Sequence, residues 1–184
     1  MARAFLLLLF IFASPAQAND ALWALLQRGG QVVLVRHAVT DPGVGDPPGF
    51  KLDDCATQRN LSAAGKAEAE RLGAAIKARG VAVARVLTSP WCRCVDTARI
   101  AFGGADVDAT LGNLFTHPQN RERQVADFRR LVAAAPDKGN LFLVTHGATT
   151  LAFTGVSPGT AEMVIVTPQR DGQFQVAGRI PLAP

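Results

Sequence analysis

The stretch VVLVRH, residues 32–37, places four aliphatic residues directly before an arginine and a histidine. Because the run is short, mostly β-branched and preceded by two glycines, it predicts a strand that is buried on both faces. Such strands belong to parallel sheets that helices cover on both sides, and ligands bind where these strands end. Arg36 and His37 are therefore expected at the edge of a binding crevice.

The segments that follow alternate between helix and strand. Residues 61–80 predict a helix that Ser62 caps and Gly80 ends, residues 81–90 predict a buried strand stopped by Ser89-Pro90, and residues 139–147 predict a third buried strand. Further helical segments lie between them, and a hairpin turning at Asp171-Gly172 ends the chain. This order predicts an α/β fold, a three-layer sandwich with a mainly parallel central sheet.

The amino terminus predicts an export signal. Residues 1–18, MARAFLLLLFIFASPAQA, have a basic start, a short apolar run and a small-x-small ending. The run is too short for a comfortable transmembrane helix, so we expect no stable membrane insertion after cleavage and a periplasmic or secreted location. An uncleaved anchor is the alternative. Residues 19–184 then form one domain, which begins with a helix capped by Asn19 or Asp20.

The chain has three cysteines, Cys55, Cys92 and Cys94. In an oxidising compartment this count favours one disulfide and one free thiol. Cys92 and Cys94 are too close to pair with each other, so Cys55 pairs with one of them; we favour Cys92, with Cys94 as the alternative. No CxxC spacing is present and no histidine lies nearby, so no metal site is predicted.

Cationic side chains follow each of the three buried strands. Arg36 and His37 follow the first strand, Arg93 lies one turn into the helix after the second, and His146 follows the third. Guanidinium groups match phosphate oxygens, a neutral imidazole can attack phosphorus, and a protonated one can stabilise the charge that develops. The set predicts a small anionic phosphorylated substrate and requires no cofactor.

The charge distribution gives little support to nucleic acid as a partner. The 184 residues carry a formal net charge of +4, with no tyrosine and no run of lysine or arginine. Nucleic-acid-binding surfaces usually combine basic clusters with aromatic stacking residues. Nothing in the pattern predicts the oligomeric state.

Three motifs in order, VRHA (35–38), SPWCR (89–93) and THG (145–147), resemble the histidine phosphatase superfamily, the phosphoglycerate mutase-like group. The resemblance spans residues 31–166 and implies a phosphoglycerate mutase-like fold. It implies that His37 becomes phosphohistidine and that Arg36, Arg93 and His146 complete the phosphate pocket, with Gly147 at the substrate. The compact length is similar to the small phosphatases of the group, and the insertions of the mutases are absent.

One position departs from the family pattern. Asn113 stands where family members have a glutamate that protonates the leaving oxygen, and an amide cannot serve as an acid. We favour Asp46, between Gly45 and Pro47, as the substitute acid; a solvated loop aspartate is the alternative. Arg59, just before a helix start, is expected at the pocket rim, pinned there by the disulfide; a surface arginine is the alternative.

The predicted function is that of an exported phosphomonoesterase that hydrolyses a small phosphorylated substrate through a phosphohistidine on His37. The alternative, favoured by Asn113, is a catalytically weak or inactive module that binds phosphate or a polyanion on the same fold. A mutase fits poorly, because the insertions that would build its deep pocket are missing.

Overall fold

The protein is described by a computed structural model, which covers residues 15–182. The strands are β1 (Val32–Arg36), β2 (Val83–Thr88), β3 (Asp106–Val107), β4 (Asn140–Thr145), β5 (Met163–Pro168) and β6 (Phe174–Ile180). The helices are α1 (Pro15–Arg28), α2 (Ala63–Ala78), α3 (Cys92–Phe102), α4 (Arg121–Ala133) and α5 (Gly147–Thr154).

The six strands form one mixed sheet in the order β3-β2-β4-β1-β5-β6. The pairs β3-β2, β2-β4 and β4-β1 are parallel, whereas β5 runs antiparallel to both of its neighbours. The predicted mainly parallel sheet is thus confirmed, and the predicted hairpin forms its β5-β6 edge. Within this sheet β1 and β4 are neighbours, with Arg36 paired to Thr145.

Side chains of β1 alternate between two separate apolar cores, one on each face of the sheet. Val33 and Val35 pack with residues of α1, α2 and α3, while Val32 and Leu34 pack with residues of α4 and α5. The four aliphatic side chains of β1 are fully buried. This burial on both faces explains the continuous aliphatic run in the sequence and produces the three predicted layers.

Helix α2 lies close against α3 because Gly73 lacks a side chain. A Cβ atom at Gly73 would lie 2.4 Å from the carbonyl oxygen of Ala101 in α3. The helix begins as predicted, with the Ser62 hydroxyl accepting a hydrogen bond from the Gly65 N–H at 3.1 Å. The close packing of the two helices fixes α3, whose first turn carries Arg93.

Helix α1 differs from its predicted start. It begins at Pro15, ahead of the predicted caps Asn19 and Asp20, and so runs through the predicted cleavage point. Residues 1–14 of the predicted signal lie outside the described residues. Within residues 15–182, no helix has the length and apolar character that crossing a bilayer would require.

Candidate active site

A cavity of about 420 Å³ opens at the carboxyl ends of β1, β2 and β4. Six of the seven site residues predicted from the sequence line it: Arg36, His37, Arg59, Arg93, His146 and Gly147. The seventh, Asp46, is not among the lining residues. Residues that are far apart in the chain therefore meet where the parallel strands end, as the sheet topology requires.

The register of β1 and β4 brings the two histidines together. Arg36 pairs with Thr145 across the two strands, so His37 and His146 follow at equivalent positions. The N–H of His37 donates to the carbonyl of Thr145 at 2.9 Å, and the ring centroids of the two histidines lie 5.4 Å apart.

The ring of His37 is held in one tautomer. Its Nδ1 lies 2.8 Å from the carbonyl oxygen of Ala38. A carbonyl can only accept a hydrogen bond, so Nδ1 carries the proton and Nε2 keeps its lone pair. The pKa of His37 is lowered to about 3, mainly by burial and also by the charges of nearby arginines, against the opposing effect of the Ala38 bond. The ring is therefore neutral at neutral pH, as a nucleophile must be.

His146 is also neutral. Its Nε2 lies 2.8 Å from the hydroxyl oxygen of Ser89, and its ring packs edge-on against Trp91 with a centroid distance of 5.2 Å. Burial, followed by His37 and the nearby arginines, holds the pKa of His146 well below its usual value. The protonated second imidazole expected from the sequence is thus not the form that this environment favours.

Two guanidinium groups have unused hydrogen-bond donors at the cavity. Arg36 donates from one terminal nitrogen to the carbonyl of Pro158 at 3.0 Å, and the buried Nε atoms of Arg36 and Arg93 have no partner among residues 15–182. A Cβ atom at Gly147 would lie 3.4 Å from Nε of Arg36, so glycine allows this close approach. Unpaired cationic donors are what the oxygens of a phosphate group require.

Asp46 does not line the cavity, as a proton donor to the leaving group would. Its carboxylate accepts hydrogen bonds from Arg93 at 2.6 and 3.2 Å, from the indole N–H of Trp91 at 3.1 Å and from the N–H of Arg59 at 3.1 Å. Burial alone would raise the pKa of Asp46, but the bonds and charge of Arg93 outweigh it and the pKa is lowered. The structure therefore makes Asp46 the ionised partner of Arg93 rather than an acid facing the cavity.

Arg59 lies at the rim, as expected, and is fixed there. Its Nε donates to the carbonyl of Gly45 at 2.8 Å, and a terminal nitrogen donates to the hydroxyl of Thr40. The Cys55–Cys92 disulfide, the pairing favoured from the sequence, joins this loop to the first turn of α3. The cationic rim and the base of the cavity are thus covalently connected.

Cys94 is the free thiol, and it is buried beside His146. Its sulfur lies 3.5 Å from Nε2 of His146 and 3.6 Å from the carbonyl oxygen of Thr145. Burial raises the pKa of Cys94 to about 12. The group therefore stays protonated and packs as a small apolar side chain.

No acidic side chain within the described residues lines this cavity. Asn113, which does line it, has both ends of its amide occupied: Nδ2 donates to the hydroxyl of Thr116 at 3.1 Å and Oδ1 accepts from the N–H of Phe115 at 3.1 Å. Within residues 15–182, no group of three His, Cys, Asp or Glu side chains could hold a metal ion.

Two contributors were missed from the sequence. Ser89 contacts His146 and Trp91 contacts both His146 and Asp46, yet in the sequence Ser89-Pro90 marks only the end of a strand. Their position in the sequence could have indicated a role at the site, because both residues lie within three positions of the carboxyl end of β2.

Residues 32–116 match the family model of the histidine phosphatase superfamily, branch 1. The chain carries a histidine phosphatase superfamily domain. This match confirms the predicted phosphatase class of enzyme. No curated protein sequence matches the chain.

Solved structures share the fold of this histidine phosphatase domain. The protein histidine phosphatase SixA complexed with tungstate is 18% identical, with 82% of this chain and 96% of that chain covered and a TM-score of 0.56. The mycobacterial glucosyl-3-phosphoglycerate phosphatase is 18% identical, with 85% and 100% covered and a TM-score of 0.61. A phosphoserine phosphatase mutant from Entamoeba histolytica, in complex with phosphoserine, is 12% identical, with 81% and 95% covered and a TM-score of 0.55. These likenesses establish the phosphoglycerate mutase-like α/β fold that was predicted.

Proposed function

We propose that the protein is an exported phosphomonoesterase that hydrolyses a small phosphorylated substrate through a phosphohistidine on His37. The observation that carries the proposal is the fixed tautomer of His37, whose Nε2 lone pair belongs to a ring in an arginine-lined cavity. A neutral, oriented imidazole beside cationic donors meets the needs of nucleophilic phosphoryl transfer, which depends on positioning and electrostatics.

The reaction proceeds in two displacements. Arg36 and Arg93 hold the phosphoryl oxygens while Nε2 of His37 attacks phosphorus, so the N–P bond forms and the ester P–O bond breaks. The electron pair of the broken bond leaves with the ester oxygen, which takes up a proton from solvent water. Water then attacks phosphorus and releases a proton to the solvent, the N–P bond breaks, and its electron pair returns to Nε2 as inorganic phosphate forms.

His146 supplies electrostatic stabilisation in this scheme. Its pKa is low because the ring is buried near cationic neighbours, and the negative charge of a bound phosphate acts in the opposite direction. A proton that is shared between the ring and a phosphoryl oxygen stabilises the transferring group. Because no carboxylic acid lines the cavity, esters whose leaving oxygen needs no protonation should react fastest.

Two observations support the exported location. Residues 1–18 have the pattern of a signal peptide, and Cys55 and Cys92 form a disulfide. Disulfides persist in oxidising compartments and are rare in the cytosol of most organisms. Fractionation of cells that express the full chain, with amino-terminal sequencing of the product, tests this part of the proposal; a full-length cytosolic product would contradict it.

Replacement of the nucleophile tests the activity. The wild type should hydrolyse p-nitrophenyl phosphate and retain acid-labile label from a radioactive phosphate ester after rapid quenching, whereas His37→Ala should lose both. A folded His37→Ala variant that still turns over the ester would refute the assignment of the nucleophile.

The second candidate function is a phosphate-binding module without turnover. The Asn113 amide, in place of an acid, favours it. This candidate predicts that calorimetry detects phosphate binding while no ester, including one with a good leaving group, is hydrolysed.

A further inference from the structure

We propose that this cavity selects phosphomonoesters whose leaving group is apolar, through a rim formed by Val44, Phe115 and Leu151. The proposal rests on the proposed function, since it names the substrate class of the same site. It assigns the rim to the leaving group and the buried base to the phosphoryl group.

Three of the six large apolar side chains that are exposed among the described residues line the cavity. Val44 is 88% exposed, Phe115 63% and Leu151 46%, and all three line the cavity. They come from three separate segments: the loop after β1, the segment before α4, and α5. Exposed apolar residues that cluster around a concave site mark a surface that is covered when a ligand binds.

Phe115 is held in place at this rim. Its backbone N–H donates to the side chain of Asn113 at 3.1 Å, and its ring lies against the turn at Gly45, where a Cβ atom would be 3.7 Å from the ring. Gly45 has a φ of +72°, a conformation that glycine adopts without strain. The loop after β1 and the segment before α4 therefore meet at Phe115 and form one continuous side of the mouth.

Cationic groups are confined to the base, with Arg59 as the exception. Arg93 is buried, Arg36 is half-buried and donates to the carbonyl of Pro158, and the Arg59 guanidinium is already bonded to a backbone carbonyl and a hydroxyl. Arg123 lines a separate, smaller cavity beside Trp91 and bonds to Asn120. A leaving group with a second negative charge would thus meet the apolar rim and one cation, Arg59, whose guanidinium already makes hydrogen bonds. A hydrocarbon leaving group would meet three apolar side chains.

Alkyl phosphates of increasing length test the rim without altering the chemistry, because ethyl and hexyl phosphate have leaving groups of nearly equal basicity. Burial of one methylene gives up to roughly fourfold in binding, so half-burial of four extra methylenes predicts a kcat/KM about fifteenfold higher for hexyl than for ethyl phosphate. Phe115→Ala and Leu151→Ala should each reduce this ratio at least twofold. Val107→Ala removes an apolar side chain that is 60% exposed on β3, outside the cavity, and should leave the ratio unchanged.

The outcomes separate this inference from the proposed function. Equal turnover of the two esters by the wild type would overturn the inference and leave the phosphatase intact. A length preference that is undiminished in both rim variants would overturn the assignment to these side chains. If neither ester is hydrolysed but p-nitrophenyl phosphate is, the proposed activity stands, and calorimetry with the two alkyl esters decides whether the rim binds the alkyl group. If p-nitrophenyl phosphate is not hydrolysed either, the proposed activity fails.

Discussion

The carboxylate of Asp46 lies against the guanidinium of Arg93, with hydrogen bonds of 2.6 and 3.2 Å and both side chains 1% exposed. Arg93 lines the cavity, whereas Asp46 approaches it from the loop after β1. The pair satisfies the terminal nitrogens of Arg93 and leaves its Nε unpartnered among the described residues. A loop carboxylate thus shares a cation with the phosphoryl group that we propose as its ligand.

Asp46→Asn tests this sharing. Removal of one partner leaves a buried, uncompensated charge, which typically costs about 3–5 kcal/mol of unfolding free energy. Inorganic phosphate supplies the missing negative charge, so it should raise the melting temperature of the variant by more than that of the wild type. Asp41→Asn changes an exposed aspartate of the same loop and is the matched control. Equal phosphate-induced shifts in wild type and Asp46→Asn would contradict the expectation.

Ser89→Ala should impair catalysis more than stability. The variant loses the 2.8 Å contact that orients His146, and an error in the position of that ring should lower kcat about tenfold with little change in KM. Ser62→Ala is the matched control, because it removes the cap of α2 and should cost about 1 kcal/mol of unfolding free energy without a comparable loss of kcat. Steady-state kinetics and urea unfolding of both variants distinguish the two effects.

Loss of the disulfide should destabilise the protein and loosen the loop that carries Arg59. The bridge joins residues separated by 37 positions, for which chain entropy gives about 4 kcal/mol of unfolding free energy. The double variant Cys55→Ser/Cys92→Ser should therefore unfold at lower urea concentration and show a raised KM, since Arg59 lies on the released loop. Cys94→Ala, which keeps the bridge, is the comparison. An unchanged KM in the double variant would show that the bridge does not position Arg59.

Acidification should destabilise the fold through its buried histidines. The pKa of His37 falls from 6.5 to about 3 on folding, so between these values the unfolded chain binds a proton that the folded form does not. Stability therefore falls as the pH is lowered through this window, by about 2 kcal/mol for His37 between pH 7 and pH 5. Urea unfolding of the wild type and His37→Gln at the two pH values measures it. Between pH 7 and pH 5, the unfolding free energy of the variant should fall by about 2 kcal/mol less than that of the wild type. An identical pH dependence of the two proteins would contradict the lowered pKa of His37.

The fold and the base of the cavity were predictable because they depend on local patterns. Short buried apolar runs define β1 and β4, and the rule that ligands bind at strand ends places Arg36, His37 and His146 together. The role expected of Asp46 did not follow in the same way. Whether a loop carboxylate faces the cavity or pairs with Arg93 depends on the path of the loop, which no periodicity in its sequence specifies.

The neutral state of His146 could not be predicted from the sequence for the same reason. The residue types favour a cationic imidazole beside phosphate, but the outcome depends on burial and on how closely Arg36, Arg93 and His37 approach it. Both the burial of His146 and the distances to these neighbours are set by the tertiary structure. The apolar rim is likewise invisible in the sequence, because Val44, Phe115 and Leu151 are isolated apolar residues in three unrelated segments.

The pairing of Arg36 with Thr145 shows which part of the site must stay fixed if the protein is redesigned. A slip of one residue between β1 and β4 would displace the two histidines relative to each other and move each β1 side chain into the opposite core, so the bottom of the cavity offers no room for redesign. Grafting new sequences onto the three surface segments at the mouth, while every strand is left untouched, is the route by which this scaffold could be retargeted to a different ester.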